Sequence, residues 1–422
     1  MKAILAKSPI ALSALYSGLV AFCLYSCMYA FRKPFTAASF EGIVYFGLGY
    51  KSWLIISQLI GYTFSKFYGI KFISGLDTGR RWLTILMLIL SSWLCLGLFA
   101  LVPPSLGILC LFLNGVPLGM IWGLVFSYLE GRRTTELAGA LLCSSFIFSS
   151  GMVKSVGKGL MNSFGIGEFA MPFAVGLVFL IPLILSLILI EQIPPPSALD
   201  VQLRSQRSPM NAVDRKNFLR QFLPGLVLLV IAYCILTILR DLRDNFAAEV
   251  WKENGLGNSA VIFTQAELPA TFIVLSIMGA LILIKNNLLA FRLNLGLIIL
   301  GMSISLVSSL LFKTGTIPVQ TWMILLGVGL YMSYVPFNCI LFERLMATFR
   351  SKGNSGFAIY IADSFGYLGS MGILVVKETG GFSTYWTGFL TNLGLWMSIP
   401  GIVCIRLAAL YFERKQRSSY PI

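Results

Sequence analysis

Apolar residues occur along this chain in long, almost uninterrupted runs. Twelve runs are long enough for a helix to cross the ~30 Å hydrocarbon core of a membrane, which takes about 20 residues. They begin near residues 10, 49, 82, 105, 137, 169, 221, 258, 291, 317, 355 and 383. Strands of a membrane barrel would instead alternate in hydrophobicity every second residue over about ten residues. The pattern therefore predicts an all-α integral membrane protein with twelve transmembrane helices.

The longest polar stretch divides these runs into six and six. It extends from Glu191 to Asn217 and contains three consecutive prolines and a basic cluster. We therefore expect an N-terminal six-helix bundle at residues 1–192, a linker at 193–218 and a C-terminal six-helix bundle at 219–422. The other loops are too short to hold a soluble catalytic domain, so an enzyme is not expected.

The two halves contain similar short segments. Arg32 begins the sequence Arg-Lys-Pro-Phe-Thr-Ala-Ala, and Arg243 begins Arg-Asp-Asn-Phe-Ala-Ala-Glu, 211 residues later in a chain of 422. Internal repeats of this kind are common in membrane transporters. The similarity favours two pseudo-symmetric halves that each provide one arginine.

Composition and charge agree with a membrane protein. Hydrophobic residues make up 57% of the chain and charged residues 12%, and the mean hydropathy is +0.83; soluble proteins have about 25% charged residues. Between the runs, 20 lysines and arginines lie on the side of both termini and only 4 lie on the other side. This bias predicts cytoplasmic termini. The expected location is a bacterial inner membrane. The bias also explains the net charge of +15 without nucleic acid as a partner; membrane lipid is the expected partner.

Metal and cofactor chemistry find little support in the sequence. The chain has no histidine, and its eight cysteines fall inside apolar runs without a CxxC pair. Zinc sites of the usual kind and a Ser/His/Asp triad are thereby excluded. We expect no metal, no cofactor and no catalytic residue.

Several charged residues fall inside the apolar runs. A charge at the centre of a membrane costs roughly 2.5 to 3.5 kcal/mol on insertion scales, so these side chains should face an aqueous cavity or each other. The cations outnumber the acids, which predicts a positively charged cavity suited to an anion. The cations are Arg32, Lys33, Lys66, Lys154, Lys158, Arg240 and Arg243, and the acids are Asp241, Asp244, Glu267 and Asp363.

Some of these residues also have simpler interpretations. Arg240 and Asp244 are four residues apart and could form a local ion pair. Lys33 is expected to extend outward to the membrane surface, and Lys158 could do the same. For Arg32 and Lys66 we favour a functional role.

Two tyrosines strengthen this role for Arg32. Tyr25 and Tyr29 precede it by seven and three residues, which places all three on one helical face. Their phenol groups could donate to a bound anion, although aromatic packing is the default for such a stripe.

Four segments of the chain resemble the organophosphate:phosphate antiporter family of the major facilitator superfamily. The first span resembles the family segment Tyr-x-x-x-Tyr-x-x-Arg-Lys-x-Phe, and Tyr62 to Phe67 is similar to Tyr-Gly-Phe-Ser-Lys-Phe. Tyr334-Val-Pro in span 10 and Phe365-Gly-Tyr-Leu-Gly in span 11 resemble two further motifs. The loop with Asp77, Arg80 and Arg81 is a degraded version of the gating loop of the superfamily.

The resemblance implies the major facilitator fold and a binding site for a phosphate ester. Members of that family exchange sugar phosphates or glycerol phosphate for inorganic phosphate. Arg32 and one arginine of span 7 would clamp the phosphate; the family alignment favours Arg240 and the internal repeat favours Arg243. The same resemblance implies that further residues complete the site: Lys66, Tyr25, Tyr29, Tyr62, Tyr334 and Tyr367.

The chain also departs from the family pattern. Phe148 lies near the position of a family histidine, Glu267 stands where the family has glycine, and Asp363 precedes the span 11 motif. These two acids are candidates for proton coupling. We therefore expect a monomeric secondary transporter of a small organic anion, with a proton-coupled symporter of another solute or a non-transporting receptor as alternatives.

Overall fold

The computed structural model describes residues 2, 5, 8–74, 80–130, 132, 134–196, 200, 212–349, 355–380 and 385–419, and nearly all of them are helical. Twelve helices in this part of the chain have 20 residues or more. They are α1 (Ile10–Tyr29), α2 (Tyr50–Ser74), α3 (Arg81–Leu101), α4 (Pro104–Phe126), α5 (Thr135–Phe164), α6 (Met171–Ile190), α7 (Ala212–Asn245), α9 (Ile262–Ile282), α10 (Asn287–Lys313), α11 (Val319–Cys339), α13 (Ser355–Thr379) and α14 (Trp386–Ser419).

The twelve long helices lie where the sequence predicted twelve spans. Eleven of their starts lie within four residues of the predicted position. Helix α7 is the exception because it begins at Ala212, inside the predicted linker. Over the described residues, all the long helices except α2 have a stretch long and apolar enough to cross a membrane. The chain is a multi-pass integral membrane protein.

Short elements lie between some of the long helices. Helices α8 (Ala247–Glu253) and α12 (Leu341–Thr348) and a 3-10 helix at Pro34–Ala37 follow the ends of α7, α11 and α1. A small antiparallel hairpin pairs β1 (Val44–Tyr45) with β2 (Leu48–Gly49) just before α2. The hydrophobic pattern did not predict these elements, because each is too short to cross a membrane.

The chain divides into two compact units. Unit 1 consists of Met1–Arg204, Asp244–Leu268 and Leu374–Phe382, and unit 2 consists of Ser205–Arg243, Pro269–Ile373 and Ser383–Ile422. Unit 1 thus holds the first six long helices together with α8, the beginning of α9 and the end of α13.

Glycines allow two helices of unit 1 to approach closely. A Cβ atom on Gly61 of α2 would lie 2.2 Å from the carbonyl oxygen of Phe112 in α4. A Cβ on Gly115 of α4 would lie 2.2 Å from the carbonyl oxygen of Gln58 in α2. Small residues at such contacts are typical of helix pairs in membranes. They bring the side chains of α2 next to the end of α1.

Unit 2 uses the same device between α10 and α11. A Cβ on Gly301 would lie 2.5 Å from the carbonyl oxygen of Gly329, and a Cβ on Gly329 would lie 2.4 Å from that of Gly301. The hydroxyl of Ser333 donates to the carbonyl oxygen of Ile298 and joins the same two helices. Helix α11 is thereby fixed beside α10, and it carries Tyr334 toward α7.

Candidate functional site

Arg32 lies just after the end of α1 and is stacked on a tyrosine of α2. Its guanidinium carbon is 3.9 Å from the centre of the Tyr62 ring. Its backbone N–H still donates to the carbonyl oxygen of Tyr29, so the chain continues to turn beyond the helix. A guanidinium over a phenol ring is held by cation–π attraction, and its edge remains able to donate to an anion.

Asn114 of α4 fixes the backbone around Arg32. Its amide nitrogen donates to the carbonyl oxygens of Phe31 and Ser92, and its amide oxygen accepts a bond from Gln58. The amide nitrogen of Gln58 also donates to the carbonyl oxygen of Arg32. These contacts join α2, α3 and α4 to the end of α1. Asn114 was not identified from the sequence. The only signal that could have found it is a polar residue inside the apolar fourth span.

The tyrosines predicted to assist Arg32 lie in the same unit. Tyr25 and Tyr29 are buried and packed together, with ring centres 5.7 Å apart, and Tyr25 also contacts Phe146 of α5. Tyr62 is buried beneath the guanidinium of Arg32. Lys66 lies on α2, one turn after Tyr62, and its side chain is outside the described part of the structure.

Unit 2 contains a second arginine stacked on a tyrosine. The guanidinium carbon of Arg240 in α7 is 3.9 Å from the centre of the Tyr334 ring in α11. The same guanidinium donates to Asp241 Oδ1 through Nη2 at 2.6 Å and through Nε at 3.1 Å. Asp241 Oδ2 accepts a bond from Ser370 of α13. The alternative that Arg240 pairs with Asp244 is therefore wrong: the carboxylate of Asp241 binds the guanidinium, and Asp244 binds Lys33 and Lys154.

Arg243 has a different environment. Its side chain is only 1% exposed, and its Nε and Nη2 atoms both donate to the carbonyl oxygen of Met323 in α11. The close approach depends on Gly327, since a Cβ atom there would lie 2.5 Å from Arg243 Nη2. These contacts join α7 to α11 and give Arg243 a packing role, whereas Arg240 is partly exposed.

Asp363 belongs to a hydrogen-bonded network in unit 2. It is buried, and its carboxylate accepts a bond from the hydroxyl of Tyr233 in α7. The hydroxyls of Tyr233 and Tyr334 are 2.9 Å apart and their rings are stacked. Because Tyr334 also carries the guanidinium of Arg240, the network extends from the carboxylate to the arginine. Tyr367 is buried on the same helix as Asp363.

Glu267, the other candidate for proton coupling, lies in unit 1. It is buried in α9 and packs against Gly151 of α5, where a Cβ atom would lie 2.7 Å from its side chain. The structure places the two candidate acids in different units.

A cluster of charged residues surrounds Asp244 at the end of α7. Lys33 donates to Asp244 Oδ2 at 2.6 Å and to Asn245 Oδ1 at 2.7 Å. Lys154 of α5 donates to Asp244 Oδ1 at 2.7 Å, and Ser150 donates to the same oxygen. The expectation that Lys33 extends to the membrane surface is therefore wrong, because the side chain is buried and bound to a carboxylate. Lys158, one turn after Lys154, is half-buried.

A further ion pair joins two residues that are near this cluster in the sequence. Lys51, the second residue of α2, is 2.6 Å from Glu249 of α8, and its amino group also donates to the carbonyl oxygen of Thr36. Burial raises the pKa of Glu249 above its ordinary value, although Lys51 acts to lower it. Glu249 therefore takes up a proton at a higher pH than an exposed glutamate does.

Two of these ion pairs join residues separated by 211 positions. Lys33 binds Asp244, and Glu41 binds Lys252 at 2.5 Å. The separation is the same as that between Arg32 and Arg243 in the sequence repeat.

The predicted gating loop is described in part. Asp77 lies outside the described residues, and Arg80 is exposed. Arg81 donates to the carbonyl oxygen of Ser127 at 3.3 Å and lies over the ring of Tyr128. The hydroxyl of Tyr128 donates to Glu191 after α6. These contacts connect the ends of α3, α4 and α6. Among the described residues, no group of three or more Cys, Asp or Glu side chains could hold a metal ion.

Comparison with known proteins identifies the family and the fold of this chain. Residues 34–415 match the family described as "Family of unknown function (DUF5690)". No curated protein matches the chain. Similar solved structures include a bacterial homolog of the human lysosomal transporter Spinster in an inward-facing and unoccupied conformation, with 14% identity and a TM-score of 0.58 over 96% of this chain and 97% of that one.

Two further solved structures have similar values. The xylose transporter XylE from E. coli is 14% identical with a TM-score of 0.59, over 96% of this chain and 99% of that one. The POT family transporter PepTSo is 14% identical with a TM-score of 0.61, over 97% and 98%. The chain has the fold of major facilitator transporters. None of these matches supports the organophosphate:phosphate antiporter family.

Proposed function

We propose that this chain, which belongs to the DUF5690 family, is a secondary transporter that moves a small organic anion across the membrane by alternating access. The observation that carries the proposal is a pair of arginines, Arg32 and Arg240, each with its guanidinium 3.9 Å from the centre of a tyrosine ring. A charge inside an apolar span is costly and usually marks a substrate or ion pathway. The fold, shared with solved transporters, supports a transport role.

Arginine suits an oxyanion better than lysine does. Its planar guanidinium can donate two parallel hydrogen bonds to a carboxylate or phosphate, whereas lysine acts as a point charge. The stacked tyrosine fixes the plane of the guanidinium, so less conformational entropy is lost when the anion binds. Together with the resemblance of the first span to phosphate-ester antiporters, this favours a phosphate ester as the substrate.

A thermal-shift screen of the purified protein tests ligand binding across several classes of anion. The compounds would be inorganic phosphate, glycerol phosphate, hexose phosphates and organic carboxylates. A ligand present at 100 times its dissociation constant adds about 2.7 kcal/mol to the stability of the folded state. Stabilisation by carboxylates alone would contradict the phosphate ester and leave the anion proposal in place.

Transport itself is tested with the variant Arg32→Lys. We expect it to fold and insert normally but to take up the stabilising anion at least tenfold more slowly, because the charge is kept and the planar fork is lost. Uptake into vesicles would be measured beside thermal stability. Near-normal uptake would remove Arg32 from the site, and binding without uptake by the unmodified protein would favour the receptor interpretation.

Proton-coupled symport is the second candidate function. It is favoured by Asp363, a buried carboxylate that Tyr233 and Tyr334 connect to Arg240. A carboxylate in such a network could exchange a proton as the arginine gains or loses an anion. We further propose a monomer in a bacterial inner membrane. Cytoplasmic termini are proposed on the distribution of lysines and arginines. Labelling of introduced cysteines in the termini from either side of the membrane tests this orientation.

A further inference from the structure

A cavity of about 110 Å³ lies between α10 and α14 in unit 2. Phe291 and Phe412 line it and pack edge to face with ring centres 5.4 Å apart, and Phe349 packs against Phe412 at 5.9 Å. Gly296 opens its wall, since a Cβ atom there would meet nothing within 4 Å. This part of the cavity is therefore apolar, preformed and able to accept several methylene groups.

The surface around the cavity consists of exposed aliphatic side chains. Leu293 and Leu300 of α10 and Val403, Leu407 and Leu410 of α14 are all exposed. On a membrane-spanning helix, such a surface contacts lipid chains. A molecule that enters this cavity therefore comes from the bilayer.

Two arginines line the same cavity. Arg292 lies 21 residues before Lys313, the last residue of α10, and Arg406 lies 20 residues after Trp386, the first residue of α14. Each distance is about 30 Å along a helix, which is the thickness of the hydrocarbon core. Both guanidinium groups therefore lie near the level of the lipid headgroups.

The charges of the cavity are not balanced. Arg292 Nε is 3.8 Å from Glu413 Oε1, which is the acid among the lining residues. Within the described part of the chain, Arg406 has neither an acidic partner nor a hydrogen bond. A second cation without a partner beside an apolar cavity is complementary to a negatively charged amphiphile.

We propose that this cavity binds one anionic phospholipid from the membrane. The phosphate lies between Arg292 and Arg406, and the adjoining part of an acyl chain fills the space beside Gly296. A zwitterionic lipid is bound more weakly, because its ammonium group is repelled by the same two arginines. The site is separate from the proposed anion pathway.

Lipid binding can be measured by native mass spectrometry of the purified protein in a non-ionic detergent. The probes are phosphatidylglycerol and phosphatidylcholine. We expect at least tenfold tighter binding of phosphatidylglycerol, and loss of this preference in the double variant Arg292→Gln/Arg406→Gln. The matched control Arg414→Gln/Arg417→Gln removes the same charge from the end of α14 and should keep the preference.

A second pair of variants tests the apolar part of the site. Gly296→Leu fills the cavity and should weaken binding of both lipids about tenfold, whereas Gly279→Leu, on α9 with equally open surroundings, should not. Retained preference in the arginine double variant, or equal loss in its control, would overturn the proposal. Unchanged lipid binding by Gly296→Leu, together with a change of its oligomeric mass, would also overturn the proposal. If the double variant fails to fold, Arg406→Gln alone should lower the preference at least threefold.

Discussion

Arg240 and Arg243 lie one turn apart on α7, yet their guanidinium groups have different partners. Arg240 is stacked on Tyr334 and held by Asp241, and it remains partly exposed. Arg243 is buried and bound to the carbonyl oxygen of Met323. An anion can approach a stacked and partly exposed guanidinium more easily than one surrounded by backbone. We therefore propose that Arg240, rather than Arg243, is the anion ligand of unit 2.

Conservative substitution of both arginines separates these roles. We expect Arg240→Lys to lower the ratio kcat/KM of uptake at least tenfold with little change in melting temperature, because the stacked fork is lost. Arg243→Lys should lower the melting temperature, because one amino group cannot reproduce two N–H bonds to a single buried carbonyl. Uptake per folded Arg243→Lys molecule should be nearly normal. The reverse pattern would make Arg243 the ligand.

Asn114 acts on Arg32 through the backbone. We expect Asn114→Ala to leave buried carbonyl groups without donors, at a cost of about 1 to 3 kcal/mol in stability for each unsatisfied group. The released end of α1 should also misplace Arg32, which raises the KM of uptake in addition to lowering stability.

A second buried asparagine provides the control for this prediction. Asn294 of α10 donates to the carbonyl oxygen of Ala290 within its own helix. Asn294→Ala should therefore lower stability less and leave KM unchanged. An equal effect of both substitutions on KM would mean that Asn114 does not position Arg32. Uptake kinetics and thermal unfolding of the same preparations measure both effects.

At the scale of elements, the end of α7 is held in unit 1 by Asp244. The carboxylate is bound by Lys33, which follows α1, and by Lys154 of α5, and all three residues are buried. Two cations around one acid leave an excess positive charge, which hydrogen bonds from Lys33 to Asn245 and from Lys154 to the Asp244 carbonyl help to stabilise. Removal of the acid would take this counter-charge away from two buried ammonium groups.

The variant Asp244→Asn tests this arrangement. Breaking a buried ion pair by removal of one partner costs about 3 to 5 kcal/mol, so we expect a marked fall in melting temperature. Glu41→Gln is the control, because Glu41 and Lys252 form an ion pair with the same sequence separation that is more than half exposed. Exposed pairs contribute only about 0.2 to 1 kcal/mol. Equal melting temperatures of the two variants would contradict a stabilising role of Asp244.

At the scale of the whole molecule, the sequence predicted the positions of the long helices, which the membrane determines. It predicted few of the contacts between side chains. Each long helix could be found because a hydrocarbon core requires about 20 apolar residues in one run. The cost of charge in that core also drew attention to seven cations, Arg32 and Arg240 among them, but it did not separate Arg240 from Arg243. Lys33 was predicted wrongly because its partner, Asp244, lies 211 residues away. Asn114 was missed because an uncharged amide leaves only a weak mark on a hydropathy pattern.

Energy coupling is likewise a property of the whole molecule, since the two candidate acids lie in different units. Asp363 is connected through Tyr233 and Tyr334 to the Arg240 network, whereas Glu267 packs against α5. If a proton drives transport, one of them must release and take up a proton in each cycle. We expect Asp363→Asn to abolish acceleration of uptake by an inward-directed proton gradient, and Glu267→Gln to do so only if its carboxylate titrates during the cycle. The control Glu253→Gln, at an exposed position at the end of α8, should retain the response.

The competing mechanism is exchange of the organic anion for inorganic phosphate, and one experiment separates the two. Vesicles are loaded with phosphate, held at equal pH on both sides, and tested for uptake of labelled glycerol phosphate. Strong counterflow without a response to a later pH step would contradict proton coupling and leave Asp363 as a structural partner of Tyr233. Uptake that needs no internal phosphate, with a response to the pH step that Asp363→Asn removes, would instead assign the coupling proton to this carboxylate. Its tyrosine network leads directly to Arg240, the proposed anion ligand.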